Sequence, residues 1–220
     1  MDRILSLTAG VLLAAAPLLA QQPAAPAPAA KKPMMAAPKT GMTDAQKIAG
    51  AERAAPRSIS AHATIVEMGA TMDAPMKELR KGTNDWVCIT SMTNAANGKS
   101  DPMCMDKSWQ DWAQAYMAHR PPNVSGSGVA YMLMGDLGAS NTDPYAEKET
   151  ADNHWVVSPA HIMMLYADPK ALDGYTDDPH SGGPWVMWKG TPYAHIMVPT
   201  TSMPASSSKS ASAGRTADKK

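Results

Sequence analysis

Two cysteines, Cys88 and Cys104, are the whole thiol complement of this chain. They enclose fifteen residues rich in turn formers, among them Asn94, Asn97, Gly98, Asp101 and Pro102. A redox dithiol or a thiol metal pair would favour close Cys-x-x-Cys spacing, which is missing. An even count in an exported chain favours a structural disulfide. Closing such a loop is worth about 3 kcal/mol in the chain-entropy model. The fold must therefore bring these two positions together.

Export is read from the first residues. Arg3 and the amino terminus supply positive charge ahead of a largely apolar run from Ile4 to Ala20. That run is short for a membrane span, which needs roughly 20 residues. It ends on a small residue before Gln21-Gln22, so residues 1–20 read as a signal peptide cleaved after Ala20. The alternative is an uncleaved anchor. No Cys follows the run, which excludes lipid attachment at a mature N-terminal Cys. No later segment is apolar enough to span a bilayer, so no integral membrane segment is expected after cleavage. The expected destination is periplasmic or extracellular.

A net charge of zero hides an asymmetry. Residues 59–200 carry nine Lys or Arg against sixteen Asp or Glu, a net −7. The flank at 21–58 is +4 and the tail at 201–220 is +3. This pattern describes an acidic globule with basic ends and gives no sign of nucleic-acid recognition. Residues 21–42, rich in Ala and Pro, read as a disordered linker, and 201–220 as a disordered tail. Thr43-Asp44-Ala45-Gln46 forms a capping-box pattern, so a short helix and linker are expected over 43–58. The globular domain is placed at 59–200.

Inside it, strands outnumber helices. Runs at 61–68, 76–81, 85–90, 128–134, 154–157, 161–166 and 193–198 read as strands. Trp185-Val186-Met187-Trp188 reads as a strand or an edge segment. Asp106 is a good N-cap. Behind it Trp109, Trp112, Ala113, Tyr116 and Met117 fall on one helical face, with Pro121-Pro122 as the stop. Strands, then a helix, then strands predict an α+β fold: a single domain with a mostly antiparallel sheet, one packed amphipathic helix and one disulfide.

Several segments together carry a resemblance: Gly82-Thr83-Asn84-Asp85-Trp86-Val87-Cys88, Asp101-Pro102-Met103-Cys104-Met105-Asp106-Lys107, Ser140-Asn141-Thr142-Asp143-Pro144, Pro159-Ala160-His161-Ile162-Met163 and Val186 through Met197. Over nearly all of 60–200 the chain resembles a group of uncharacterised exported bacterial proteins. The resemblance implies one domain and one compartment, and transfers no mechanism.

Chemistry is sought first in an internal echo. Pro159-Ala160-His161-Ile162-Met163 repeats as Pro192-Tyr193-Ala194-His195-Ile196-Met197. On a strand, residues i and i+2 share a face. His161 with Met163, and His195 with Met197, would converge if the strands pair in register. Two imidazoles and two thioethers suit copper. The plainer reading is core methionine, of which this Phe-free chain with eighteen Met has plenty, and hydrogen-bonded core histidine. Asp136 and the Ser140–Pro144 loop could hold Ca²⁺ through oxygen ligands, but their spacing suits a turn better. Asp177, His180 and Ser181 invite a hydrolase idea, yet sequence neighbours rarely form a triad. A small-ligand pocket is conceivable around Asn141, Asp143, Trp188 and Tyr193. Three functions stay open: a binding protein for copper or another small ligand, an enzyme with His161 or His195 as base and Asp143 as partner, and a non-catalytic envelope-interaction protein using its basic ends.

Overall fold

The computed structural model describes residues 41–69, 74–91 and 100–203. All of them fall in one compact unit. The signal peptide, nearly all of the linker and most of the tail expected from the sequence lie outside the described residues. The protein is α+β, with ten strands and three α-helices among the described residues. Helix α1 spans Asp44–Ala51 and runs into a 3-10 turn at Glu52–Ala54, followed by the single-turn α2, Arg57–Ser60. Helix α3 spans Lys107–Met117. No helix among the described residues is long and apolar enough to cross a membrane.

Eight strands form one sheet. In chain order they are β1 (Thr64–Glu67), β2 (Lys77–Arg80), β3 (Val87–Ile89), β4 (Met103–Met105), β5 (Ser127–Met132), β8 (His161–Tyr166), β9 (Trp185–Met187) and β10 (His195–Pro199). Their spatial order is β2-β1-β3-β4-β5-β8-β10-β9. Every pairing is antiparallel except β1 with β3. A separate ribbon pairs β6 (Ala139–Ser140) with β7 (Trp155–Val156). Cys88 and Cys104 face each other across β3 and β4 and form the expected disulfide.

Alternation along the strands builds two cores. On one face Ile89, Met105, Ala130, Met163, Leu165 and Met197 lie beneath Trp109 and Trp112 of α3. On the other, Ile65, Cys88 and Cys104 lie beneath Ala51, Ala54 and Ala55. Residues 43–58, read from the sequence as a helix and linker ahead of the globule, are thus part of its packing. Glu52 pairs with Arg80 at 2.5 Å, Lys47 with Glu67 at 2.6 Å, and Leu133 N–H donates to the Ala54 carbonyl. The expected boundary at 59 moves outward for that reason.

Helix α3 stops earlier than Pro121. Its C-cap is Ala118, and His119 turns the chain with φ of +53°, a left-handed conformation that cannot continue a helix. At the other end, Asp106 Oδ1 accepts from Trp109 N–H, while Oδ2 accepts from Val129 N–H of β5. The helix lies close over Gly128, where a Cβ would sit 2.8 Å from Ser108 Cβ and 3.2 Å from Trp109 Cδ1.

Candidate functional site

The echoed segments become neighbouring strands. β8 and β10 pair antiparallel, with Met163 opposite Met197 and His161 opposite Pro199. One further step in the same register sets His195 level with Leu165. The local two-fold axis of this ladder passes between the two methionines. It relates Met163 to Met197 and His161 to His195. A repeat in the sequence has become a symmetric strip in the sheet.

All four side chains lie on the α3 face and are buried. The two thioethers come together, but the two imidazoles do not join them side by side. His precedes Met on both strands, so antiparallel pairing puts one histidine at each end of the methionine pair. Their Cα atoms are separated by four strand positions, roughly 13 Å along the sheet. The single four-ligand shell expected from the sequence would have needed parallel pairing. Three side chains still cluster at either end. His161 shares a strand with Met163 and lies diagonal to Met197, and His195 has the mirrored arrangement. Such diagonals are about 7–8 Å between Cα atoms, within reach of long side chains.

The two histidines are set in the same way. Nδ1 of His161 donates to the Pro159 carbonyl at 2.7 Å, and Nδ1 of His195 to the Tyr193 carbonyl at 3.0 Å. A carbonyl can only accept, so Nδ1 carries the proton and Nε2 presents a bare lone pair. Both Nε2 atoms are buried without a partner. Metal-ligating histidines are held in this manner, one ring N–H tied to a carbonyl or carboxylate and the other nitrogen free. Burial pushes His195 down to about 4, against the pull of the Tyr193 carbonyl, and His161 lowers it further. Burial also lowers His161, opposed by the Asp136 carboxylate and the Pro159 carbonyl. Both rings are neutral at pH 7.

Four buried side-chain polar atoms of this strip and its rim lack a partner among the described residues. His161 Nε2 lies at one end. His195 Nε2, Trp109 Nε1 and Trp112 Nε1 lie at the other. The two indoles meet the His195 ring edge-on, with centroids 5.3 and 5.8 Å away. Each unpaired buried polar group carries a desolvation cost, and folded proteins hold few of them. Their concentration here is what a plain methionine core would not produce.

Asn141, Asp143, Trp188 and Tyr193 are all tied into the fold by hydrogen bonds. Asn141 receives Trp185 Nε1–H on its side-chain oxygen and donates Nδ2–H to the Asp177 carbonyl. Its backbone donates to the His154 carbonyl and accepts from Trp188 N–H. These four bonds tie Asn141 into the fold. Trp188, with φ of +55°, is locked by that bond and by Nε1–H donation to the Ser140 carbonyl. Asp143 accepts from Tyr145 N–H, and Tyr193 exchanges a 2.7 Å hydroxyl bond with Tyr145. Tyr116, whose hydroxyl donates to the Pro144 carbonyl, is pushed up to about 12 by burial, with the charges of Asp143 and Tyr193 adding to it. The Ser140–Pro144 loop is therefore a hydrogen-bonded hub that anchors an aromatic stack, with Tyr116 lying nearly parallel to Trp112, Tyr145 and Trp188.

Among the described residues no hydrogen bond or ion pair joins Asp143 to His161 or His195. Asp136, at the turn after β5, is the carboxylate that acts on His161. Its Oδ1 accepts from Gly138 N–H at 2.9 Å and Ser158 N–H at 2.8 Å. Burial raises it, against the stabilising effects of His161, Ser158 and Gly138. Sequence reading had set Asp136 beside the Ser140 loop. The signal it missed is the β5–β8 register, which pairs Met132 with His161 and so leads the chain after β5 past that histidine. Two surface clefts of about 220 and 240 Å³ share Leu172, Thr191 and Ala194, and neither is lined by histidine. Among the described residues no group of three or more His, Cys, Asp or Glu side chains could hold a metal ion. A metal on the strip would therefore depend on thioether sulfur. Comparison with family models, curated proteins and solved structures finds no match.

Proposed function

We propose that this protein is an exported, non-catalytic binding domain that holds copper on the β8–β10 strip. The observation that carries the reading is the pair of buried, partnerless imidazole Nε2 atoms flanking the opposed methionines Met163 and Met197. Neutral imidazole and thioether are the soft ligands that suit copper, while hard cations favour oxygen. Disulfide formation between Cys88 and Cys104 fits an oxidising compartment. The resemblance to exported proteins points the same way.

The test is a copper titration of the purified protein against a chromophoric competitor. Its control is the double variant Met163→Leu/Met197→Leu, chosen because Leu conserves volume at a core position. One ion per chain is expected, with binding lost in the variant. No binding by the parent protein, or equal binding by the variant, would overturn the reading and leave the methionines as packing.

A further inference from the structure

The strip is symmetric in its ligands but not in its charge. At one end the β5–β8 ladder sets Met132 opposite His161, and the half-buried carboxyl group of Asp136, four residues on, is fixed beside the entry to β8 by the backbone N–H groups of Gly138 and Ser158. At the other end His195 is enclosed edge-on by Trp109, Trp112 and Trp188, with ring centroids 5.1 to 5.8 Å away. An ion carried into this interior by neutral ligands alone would leave an uncompensated buried charge, which is costly. Among the described residues, the carboxyl group that bears on the strip is Asp136, at the His161 end.

Resting on the copper reading, we propose that the strip takes one monovalent soft cation, Cu(I), at its His161 end. His161 Nε2 and the sulfurs of Met163 and Met197 are the ligands, and the half-buried Asp136 is the counter-charge. A single negative charge balances a single positive one. A divalent ion held by the same set would keep a net positive charge in the interior, so the site discriminates against Zn²⁺ and Cu²⁺ by charge as well as by softness. Because both half-sites share the methionine pair, occupation of one end excludes the other, and the stoichiometry is one. Asp136 touches no ion in this arrangement. It is a positioning and charge-balancing residue, and Asp136→Asn removes its charge while keeping an oxygen for Gly138 and Ser158.

The experiment uses Ag(I), a redox-inert monovalent ion, and Cu(I) under anaerobic conditions, each titrated into the purified protein. His161→Gln is expected to abolish binding, and Asp136→Asn to weaken it by about tenfold or more, the change a lost charge partner commonly brings. His195→Gln should stay within about threefold of the parent, since that ring is outside the occupied half. Zn²⁺ should bind at least about a hundredfold more weakly than Ag(I), in line with the ligand softness. A second readout needs no variant: in the parent protein Ag(I) should shift the ¹⁵N resonance of His161 Nε2 and spare that of His195. Binding that survives in His161→Gln and vanishes in His195→Gln, or a shift confined to His195, would overturn the assignment while leaving the copper reading intact. Equal affinity for Zn²⁺ would overturn the charge argument. Absence of any Ag(I) or Cu(I) binding by the parent would remove the copper reading itself, and the assignment with it.

Discussion

Burial lowers both strip histidines, because the interior solvates an imidazolium poorly. For His195 the consequence can be sized. Its folded value of about 4 lies below the ordinary 6.5. Between those two values the unfolded chain binds a proton that the folded protein refuses. The stability from keeping this ring neutral is full above pH 6.5 and is lost as pH falls toward 4, amounting to about 3 kcal/mol for one fully buried ring. His161, also lowered, adds in the same direction, while the raised Asp136 works in the opposite sense in the acid range. Urea unfolding of the parent and of His195→Gln at pH 7 and pH 4.5 separates these effects. The parent should lose stability more steeply than the variant, and equal slopes would show that His195 does not carry the effect. At this scale the sequence was legible for residue type and face, since the His-x-Met period of two needs only a strand. The partner of His161 was not legible, because Asp136 is twenty-five residues away and reaches it only through the β5–β8 register.

Helix α3 covers the strip, and Asp106 ties its start to the sheet. Asp106 caps the helix through Trp109 N–H and ties it to β5 through Val129 N–H at 2.6 Å. Loss of a cap costs about 1 kcal/mol, and a hydrogen bond to a charged acceptor contributes about 1.5–3. Asp106→Ala is therefore expected to lower unfolding stability by about 3 kcal/mol and Asp106→Asn, which retains an acceptor, by about 1. A denaturant series on both variants checks the ranking, and an equal effect would mean that the oxygen Asn retains contributes nothing. The helix start was readable because capping is local. So was β8, whose bounds match the expected 161–166. Strands β4 and β6 were not expected: they are three and two residues long, too short to display a period of two, and exist through pairing with distant partners. The early end of α3 at His119 was equally hidden, since the proline stop lies farther on and a left-handed histidine carries no sequence mark.

On the scale of the whole molecule, one sheet separates two cores, and each needs its own cover. The α3 side is closed by tryptophans. The other side is closed by small residues, Ala51, Ala54 and Ala55, which let the N-terminal helices approach Ile65 and the disulfide closely. The helix itself was readable from its capping box, but its part in covering the sheet was not, because alanine's value lies in closeness rather than in bulk. The cover also supports the candidate site indirectly. Leu133 N–H, just beyond β5 and ahead of Asp136, is held by the Ala54 carbonyl, and Arg80 bridges Glu52 to the Ser60 and Ala63 carbonyls. Removing residues 43–58 would strip apolar surface from Ile65, leave Arg80 without its carboxylate and free the chain leading to Asp136. A loss of about 2–4 kcal/mol is expected from the apolar area alone. For a domain of this size that corresponds to a fall in Tm of roughly 5–15 °C. Thermal unfolding followed by tryptophan fluorescence and by far-ultraviolet circular dichroism tests this. The parent should unfold in one transition by both probes, because the two cores share β3, β4 and β5. The truncated chain should melt lower, still with coincident probes. If its Tm were unchanged, residues 43–58 would be an appendage and the domain would begin at 59. If the probes separated, the two faces of the sheet would be independent units, and an ion on the strip would stabilise only the α3 side.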